Sequence, residues 1–242
     1  MNSYKILPVG DSAALGWAVA SLKENGVVFA DEPGLDVTHL LLPVPSFEGE
    51  GMIKGGIPLS PLLAQLPKEV CIIGGNLSGL SESYRCIDLL KDPLYVSQNA
   101  AITAHCAIRL AMQKLPVTLE RLPVVVIGWG RIGKCLARLL RALGADVTVC
   151  ARKEADRAML VALGYRALPL SWDHPEAALV FNTAPAAVAI NFPKDCLKID
   201  LASVQGLSGE DVIWARGLPG KDAPKSSGQL IAETVIPIVK KE

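Results

Sequence analysis

Three glycines with the spacing G-x-G-x-x-G are the residues that point most directly to chemistry. They follow an apolar, β-branched run at residues 124–127, and the next segment has apolar residues at helical spacing up to Gly144. In a strand, turn and helix of this kind, the first glycine makes the turn, the second lets an anion approach the backbone, and the third lets helix and strand pack closely. The segment therefore predicts a dinucleotide pyrophosphate site. The predicted loop comprises Gly128, Trp129, Gly130, Arg131, Ile132 and Gly133.

The residues after the second strand of this unit indicate which dinucleotide fits. The strand at residues 146–150 is followed by Ala151, Arg152 and Lys153, where an NAD site would place a carboxylate for the ribose 2'-hydroxyl. A guanidinium pairs with a 2'-phosphate through charge-assisted hydrogen bonds, and a lysine adds a point charge. We therefore expect NADP rather than NAD. A solvated basic start to the next helix remains the alternative.

Two polar segments follow later predicted strands of the same unit. Asn182, Thr183, Ala184 and Pro185 come after the strand at residues 178–181, and Asp200 ends the strand after it, with Ser203 close behind. Loops at the carboxyl ends of parallel strands face the ligand, so we expect these six residues to border the nicotinamide and its ribose. The alternatives are plain turns at Asn182 and Thr183, and a loop anchor at Asp200.

Candidates for acid–base chemistry and substrate binding are scattered along the chain. His105 lies on a predicted helix and could carry a proton, although a structural or surface histidine is the alternative. Lys225 lies near a helix start and could hold a carboxylate, unless it is a solvated flank and Ser226 is a helix cap. The remaining candidates for contact with substrate are Ser46, Glu50, Thr103 and Ser226.

Composition excludes several classes of function. The 24 basic residues balance 24 acidic ones, and no apolar run is long enough to span a bilayer, so we expect neither a nucleic-acid nor a membrane partner. Six cysteines without a C-x-x-C pair favour a reducing cytoplasm. No His and Cys set has metal-ligand spacing, and no G-x-S-x-G elbow is present, so neither a metal site nor a serine hydrolase is expected.

The order of elements predicts an α/β fold with two Rossmann-like, doubly wound parallel-sheet domains joined by a hinge helix. We place a flavodoxin-like substrate domain at residues 1–98, the hinge helix at 99–118 and the NAD(P)-binding domain at 119–222. A terminal helix at residues 226–240, within the segment 223–242, is expected to pack back across the domain junction. Within the first domain, we predict strands at residues 5–9, 27–30, 37–42 and 71–73, and a loop rich in proline and glycine at 43–56.

Several motifs together resemble a known family, bacterial dipicolinate synthase A. The resemblance spans almost the whole chain and implies a two-domain Rossmann-like oxidoreductase that works with a second, flavoprotein-like component, dipicolinate synthase B. It also implies that dipicolinate forms from a lysine-pathway intermediate during endospore formation, with a nicotinamide cofactor accepting hydride. The matching segments are residues 127–133, Ala151-Arg152, residues 182–185, residues 200–203 and residues 217–220, followed by Ala223-Pro224-Lys225.

The hypothesis drawn from the sequence is thus an NADP-dependent oxidoreductase component that acts on a small cyclic dicarboxylate and forms a homo-oligomer. Two alternatives stay open. One is a 2-hydroxyacid or amino-acid dehydrogenase, which shares the two-domain plan. The other is a non-catalytic module that senses nucleotide, which turnover would exclude.

Overall fold

The computed structural model describes residues 4–80, 82–171 and 176–240, which divide into two compact units. The first unit comprises the chain up to Asn99 and from Pro219 onward, and the second comprises Ala100–Leu218. In chain order the elements are β1 (Ile6–Pro8), α1 (Ala13–Glu24), β2 (His39–Leu41), β3 (Phe47–Gly49), β4 (Met52–Ile53), β5 (Ile57–Pro58), α2 (Leu59–Leu63), β6 (Cys71–Gly74), β7 (Arg85–Asp88), α3 (Pro93–Lys114), β8 (Pro123–Ile127), α4 (Arg131–Ala142), β9 (Asp146–Cys150), α5 (Glu154–Ala162), β10 (Arg166–Leu168), β11 (Leu179–Asn182), β12 (Leu197–Asp200), β13 (Val212–Trp214), α6 (Leu218–Asp222) and α7 (Pro224–Val239).

The first unit is built on a parallel sheet with the order β1-β2-β6-β7. The prediction of a full strand at residues 27–30 was wrong: this segment makes a single parallel bridge, between Phe29 and Ile6. Within β1, the segment pairs with Ile6. The Ile6 N–H donates to Val28 O at 3.0 Å, and the Ile6 carbonyl accepts from Ala30 N at 2.8 Å. The segment nevertheless lies beside β1, on the side away from β2.

Residues 43–56 are more ordered than the predicted loop, because they contribute to a second, antiparallel sheet with the order β3-β4-β5. Gly51, Gly55 and Gly56 have φ values of +67°, +95° and +71°, so glycine makes the turns between very short strands. Strands of two or three residues are too short for an alternating pattern to show in the sequence.

Two helices begin earlier than predicted. The helix expected from Asn99 begins at Pro93, after Asp92, whose carboxylate accepts from Tyr95 N at 2.8 Å as a helix cap does. The terminal helix begins at Pro224 rather than Ser226, with proline in its first turn. That helix, α7, packs along α1. At their contact, a Cβ atom on Gly228 would lie 2.5 Å from Ala14 O.

The second unit contains a six-stranded sheet in the order β10-β9-β8-β11-β12-β13, and all its neighbouring strands are parallel. The chain therefore leaves β8 toward β9 on one side and returns beside β8 with β11 on the other. Buried aliphatic and aromatic residues, among them Ile127 and Phe181, fill the central strands. The predicted α/β fold with parallel sheets is confirmed, although the edge strand β10 was not predicted.

Candidate functional site

The predicted dinucleotide residues lie at one edge of the second unit's sheet. Ile127, at the carboxyl end of β8, pairs in register with Cys150 of β9 and with Asn182 of β11. The order of the strands reverses between β8 and β11, and ligands of open α/β sheets bind at such a switch point, beyond the carboxyl ends. Three segments that are far apart in the sequence therefore meet at the place that this fold offers to a ligand.

The turn after β8 requires glycine at two of the three positions of the motif. Gly128 has a φ of +100° and donates to Cys150 O at 2.8 Å, which ties the turn to β9. A Cβ atom on Gly133 would lie 2.1 Å from Gly128 O, so a side chain there would push the helix away from the turn. Both glycines are thus required by the local backbone, as the spacing predicted.

Gly130 differs, because a Cβ atom there would meet nothing within 4 Å. It precedes α4 as the N-cap, no side chain caps the helix, and the first turn contains no acidic residue. The N-terminus of α4 therefore presents free N–H groups and positive dipole beside open space. The residues present fit the pyrophosphate of a dinucleotide, which needs close approach to the backbone at this position.

A cleft of about 560 Å³ extends from this turn along the ends of β9 and β11. Nine of its lining residues were predicted from the sequence: Gly128, Trp129, Gly130, Ala151, Arg152, Lys153, Thr183, Ala184 and Pro185. The sequence prediction missed Asp156, Leu170, Ala186 and Ala187. The sequence offered a signal for Asp156, which lies in the first turn of the helix after the basic pair. It offered none for the three apolar residues, because nothing in their type or spacing marks them as lining a cleft.

The basic end of the cleft has two cations available for a ligand. Arg152 and Lys153 are exposed, and within the described part of the chain their side chains make no hydrogen bond or ion pair. Arg157 is committed elsewhere, because its guanidinium donates to Ala151 O at 2.9 Å and to Arg152 O at 2.8 Å. This arginine holds the backbone of the turn, while Asp156 is the one carboxylate among the cleft-lining residues given above.

A buried hydrogen-bond network supports the opposite wall. Asp200 is fully buried, and its carboxylate accepts from Asn182 Nδ2, Ala202 N, Gly206 N and Leu207 N at 2.8–2.9 Å. Asn182, also fully buried, in turn accepts from Ala184 N at 3.1 Å. These two side chains fix the loops after β11 and β12, so their contacts in the structure are those of loop anchors.

Other residues predicted near the nicotinamide have polar contacts of their own. The Thr183 hydroxyl donates to Ile127 O at 2.9 Å, which joins the wall to the glycine turn. Ser203 is exposed, and its carbonyl accepts from Arg216 Nη1 at 2.5 Å. Trp129, which was predicted in the pyrophosphate loop, contacts the Tyr165 ring edge to face at 5.9 Å between ring centroids, and the Nζ of Lys134 is 5.7 Å from the Trp129 ring.

The candidate substrate residues of the first unit have varied surroundings. Ser46 is fully buried, donating to Pro43 O at 2.8 Å and accepting from Gly75 N at 2.9 Å. Glu50 and Ser226 are exposed. Lys225 is also exposed, with its Nζ 5.1 Å from the ring centroid of Trp17.

In the second unit, Thr103 is buried on α3 and His105 is exposed on the same helix. Of these six candidate residues, Ser46 has a structural role that the sequence did not predict, because its hydroxyl joins Pro43 and Gly75. The assignment of all six residues to substrate chemistry stays a prediction.

Potential metal ligands are dispersed in the structure. Over the described ranges, no three or more His, Cys, Asp or Glu residues come together in a way that could hold a metal ion. None of the helices described is both long and apolar enough to cross a bilayer.

The known proteins to which this chain is similar in sequence and in structure include the same enzyme component. No protein-family model matches the sequence. The chain is 28% identical to dipicolinate synthase A of Bacillus subtilis strain 168 over 237 residues, which cover 84% of this chain and 78% of the relative. The crystal structure of dipicolinate synthase A from Bacillus halodurans matches with a TM-score of 0.84 at 22% identity, covering 98% of this chain and 97% of that one. The crystal structure of the Bacillus subtilis protein matches with a TM-score of 0.82 at 23% identity, covering 100% and 97%.

These relatives confirm the resemblance that the motifs predicted. In fold, the chain is like dipicolinate synthase A. At the level of this class, the predicted NAD(P)-dependent oxidoreductase is confirmed as well.

Proposed function

We propose that this chain, similar to dipicolinate synthase A along most of its length, is an NADP-dependent oxidoreductase component that oxidises a cyclic dihydro- or tetrahydrodipicolinate to dipicolinate. The observation that carries the proposal is the cleft at the switch point of the second sheet. It combines a glycine turn, open space at Gly130 and the exposed cations of Arg152 and Lys153.

Each part of the cleft has a role toward the dinucleotide. Gly130 and the N-terminus of α4 hold the pyrophosphate, because open space lies beside them, and Gly128 makes the turn that places them at the cleft. Arg152 and Lys153 pair with the 2'-phosphate. When bound, the nicotinamide supplies the chemistry by accepting a hydride. The chain orients that ring through the wall formed by residues 183–187, which the network of Asn182 and Asp200 holds rigid.

Asp156 also lines the basic end, so it bears on the choice between NADP and NAD. A carboxylate repels a 2'-phosphate and accepts from a 2'-hydroxyl, whereas two cations favour the phosphate. Two positive charges against one negative charge leave a net attraction for the phosphate. We therefore propose that the cleft prefers NADP, and that Asp156 reduces the difference in affinity between NADP and NAD.

For the substrate, the proposal retains the residues predicted from the sequence. His105, which is exposed, is proposed to carry a proton, and Lys225 to bind a carboxylate. Glu50, Thr103 and Ser226 are proposed to contact the ring substituents. Ser46 is proposed to position the loop that borders the substrate, because its hydroxyl joins Pro43 and Gly75. We further propose a flavoprotein-like partner resembling dipicolinate synthase B, a role in sporulation and a homo-oligomeric assembly. The name of the similar protein, which is one component of a synthase, supports the partner.

The cofactor assignment is tested with Arg152→Ala. Loss of a charge-assisted hydrogen bond should weaken NADP⁺ binding by about tenfold or more, while NAD⁺ binding changes little. Calorimetric titration with both nucleotides measures the difference. Arg138→Ala is the matched control, since Arg138 is exposed on α4 and does not line the cleft. An equal loss for both nucleotides would contradict the 2'-phosphate assignment.

The reaction is tested by following NADPH formation from NADP⁺ and dihydrodipicolinate, with and without dipicolinate synthase B. Turnover that requires the dinucleotide supports the oxidoreductase. Tight nucleotide binding without turnover under either condition would instead favour a nucleotide-sensing module.

A further inference from the structure

The turn between β9 and α5, residues 151–153, carries the two cations that are proposed to select the dinucleotide. Arg152 and Lys153 line the cleft, and their side chains are exposed. The rotamers open to a side chain depend on the dihedral angles of its own backbone. Whatever fixes the backbone of this turn therefore influences where the two positive charges lie.

Arg157 holds two successive carbonyl groups of this turn. One nitrogen of its guanidinium, Nη1, donates to Ala151 O at 2.9 Å and to Arg152 O at 2.8 Å. These carbonyls belong to the two peptide groups that flank the Arg152 Cα atom. Ala151 is itself buried, and its N–H donates to Leu168 O at 3.0 Å, at the end of β10. A single side chain thus fixes the backbone on both sides of Arg152.

The same bonds change the electrostatics at the end of β9. Carbonyl oxygens carry partial negative charge, which repels a phosphate. Cys150 O accepts from Gly128 N at 2.8 Å, so three successive carbonyl groups here have donors within the protein. In residues 4–80, 82–171 and 176–240, the Arg157 guanidinium makes no ion pair, so its charge is not paired with a carboxylate. Both features favour an anion beside this turn.

Helix stability does not explain an arginine at this position. Arg157 is the fourth residue of α5, near the positive end of the helix dipole, where negative charge is stabilising and positive charge is not. Glu154 and Asp156, in the first turn, are the residue types that the dipole favours. The bonds from Arg157 to the turn before the helix account for it instead.

We propose that Arg157 is a positioning residue for the selection of NADP over NAD, and that it acts through the carbonyl groups of Ala151 and Arg152. The inference rests on the proposed function, because the ligand is taken to be a dinucleotide with a 2'-phosphate. Arg157 is half-buried and is not among the cleft-lining residues given above. By fixing the backbone of Arg152, it reduces the conformational freedom that the cation loses when the phosphate binds.

The experiment uses the full chain and two pairs of ligands: NADP⁺ with NAD⁺, and adenosine 2',5'-bisphosphate with adenosine 5'-monophosphate. Each pair differs by the 2'-phosphate alone, and the second pair has no nicotinamide. Arg157→Met removes both bonds and the charge, whereas Arg157→Lys keeps the charge and places three donors on one nitrogen. Calorimetric titration gives each affinity, and thermal unfolding verifies that each variant is folded.

Arg141→Met is the matched control. Arg141 lies on α4, and its Nη1 also donates to a backbone carbonyl, Leu163 O at 2.8 Å, but it does not line the cleft. This variant therefore loses the same kind of bond without changing the turn at residues 151–153. Its preference for NADP⁺ over NAD⁺ should equal that of the wild type.

Arg157→Met should lower the preference for NADP⁺ over NAD⁺ by about tenfold, with NAD⁺ affinity little changed, and the second pair of ligands should show the same fall. Arg157→Lys should recover part of the preference, because one nitrogen makes both bonds. If Arg157→Met does not fold, the partial loss in Arg157→Lys carries the comparison. An unchanged preference, or an equal loss for both members of each pair, overturns the positioning role and leaves the proposed function standing.

A double-mutant cycle with Arg152→Ala separates positioning from direct contact. If Arg157 acts through Arg152, Arg157→Met should weaken NADP⁺ binding far less once Arg152 is alanine. Additive losses in the double variant overturn the inference, because each arginine would then act independently on the phosphate.

Failure of the proposed function has a different signature. A wild-type chain that prefers the 2'-phosphate ligands, loses the preference in Arg157→Met and turns over no substrate supports the positioning role and contradicts the oxidoreductase. A wild-type chain without a preference for NADP⁺ overturns the positioning role together with the NADP assignment.

Discussion

At the residue scale, the second and third glycines of the turn after β8 are present for different physical reasons. Gly133 is required by the protein's own backbone, since its Cβ position lies 2.1 Å from Gly128 O. Gly130 faces open space, so the protein alone does not require it. A ligand that approaches this position would explain why no side chain is present there.

This contrast gives a prediction for two alanine variants. Gly133→Ala should lower the free energy of unfolding by about 3 kcal/mol, because backbone atoms must move to admit the methyl group. Gly130→Ala should lower it by only about 1 kcal/mol, because alanine is a poorer N-cap than glycine, but weaken nucleotide binding. Urea unfolding and nucleotide titration measure the two effects. If Gly130→Ala bound NADP⁺ as tightly as the wild type, the pyrophosphate would not approach this residue.

The sequence predicted which polar residues lie at the edge of the sheet better than it predicted what those residues do. Asn182 and Asp200 were chosen because polar side chains follow adjacent strands, and the register does bring them together, at 2.9 Å. Their contacts are nevertheless with each other and with loop N–H groups. A spacing in the sequence can place a carboxylate at a sheet edge, but which donors surround it depends on how the following loop folds.

At the element scale, α1 and α7 come into close contact at Gly228. A Cβ atom there would lie 2.5 Å from both Ala14 O and Trp17 Cβ, and 2.7 Å from Ala18 N. Small residues on α1, including the buried Ala14 and Ala18, allow the two backbones to approach. The two helices can pack at this distance only because residue 228 of α7 has no side chain.

Gly228→Ala should therefore push α7 away from α1 and lower the free energy of unfolding by about 2 kcal/mol. Gly16→Ala is the matched control on α1, since a Cβ atom there meets nothing within 4 Å. It should instead stabilise the protein by up to about 1 kcal/mol through higher helix propensity. Chemical unfolding of both variants measures the difference, and similar effects of the two substitutions would contradict the close contact.

Elements were predictable where their sequence pattern is long. The helix after the glycine turn was expected to end at Gly144, and α4 ends at Ala142 with Gly144 at a φ of +81°. The strands β3, β4 and β5 were missed because two or three residues carry no period. The segment 27–30 was overestimated because an apolar run predicts burial and extension, whereas strand pairing also needs a partner of matching length.

At the scale of the whole molecule, the chain forms two compact units, and the residues that line the candidate nucleotide cleft all belong to the second. A ligand that binds the folded state stabilises it according to its concentration relative to Kd, by about 2.7 kcal/mol at one hundred times Kd. The segments that contribute to the cleft should show this stabilisation most directly.

Saturating NADP⁺ should accordingly slow amide hydrogen exchange at residues 128–133 and 183–187, and the Arg152→Ala variant should show less protection at the same concentration. Mass spectrometry of peptides from both units measures the effect. Protection confined to the first unit would contradict the assignment of the nucleotide to the second.

The sequence by itself determined the class of fold, the glycine turn and nine of the residues that line the cleft, because these depend on local periodicity and on backbone geometry that only glycine allows. The tertiary structure decided which polar groups remain available to a ligand. It turned the Arg157 guanidinium onto the backbone of its own turn and buried Asp200 among four donors. Such partnerships join residues distant in the chain, so they depend on how the loops pack and not on any local pattern.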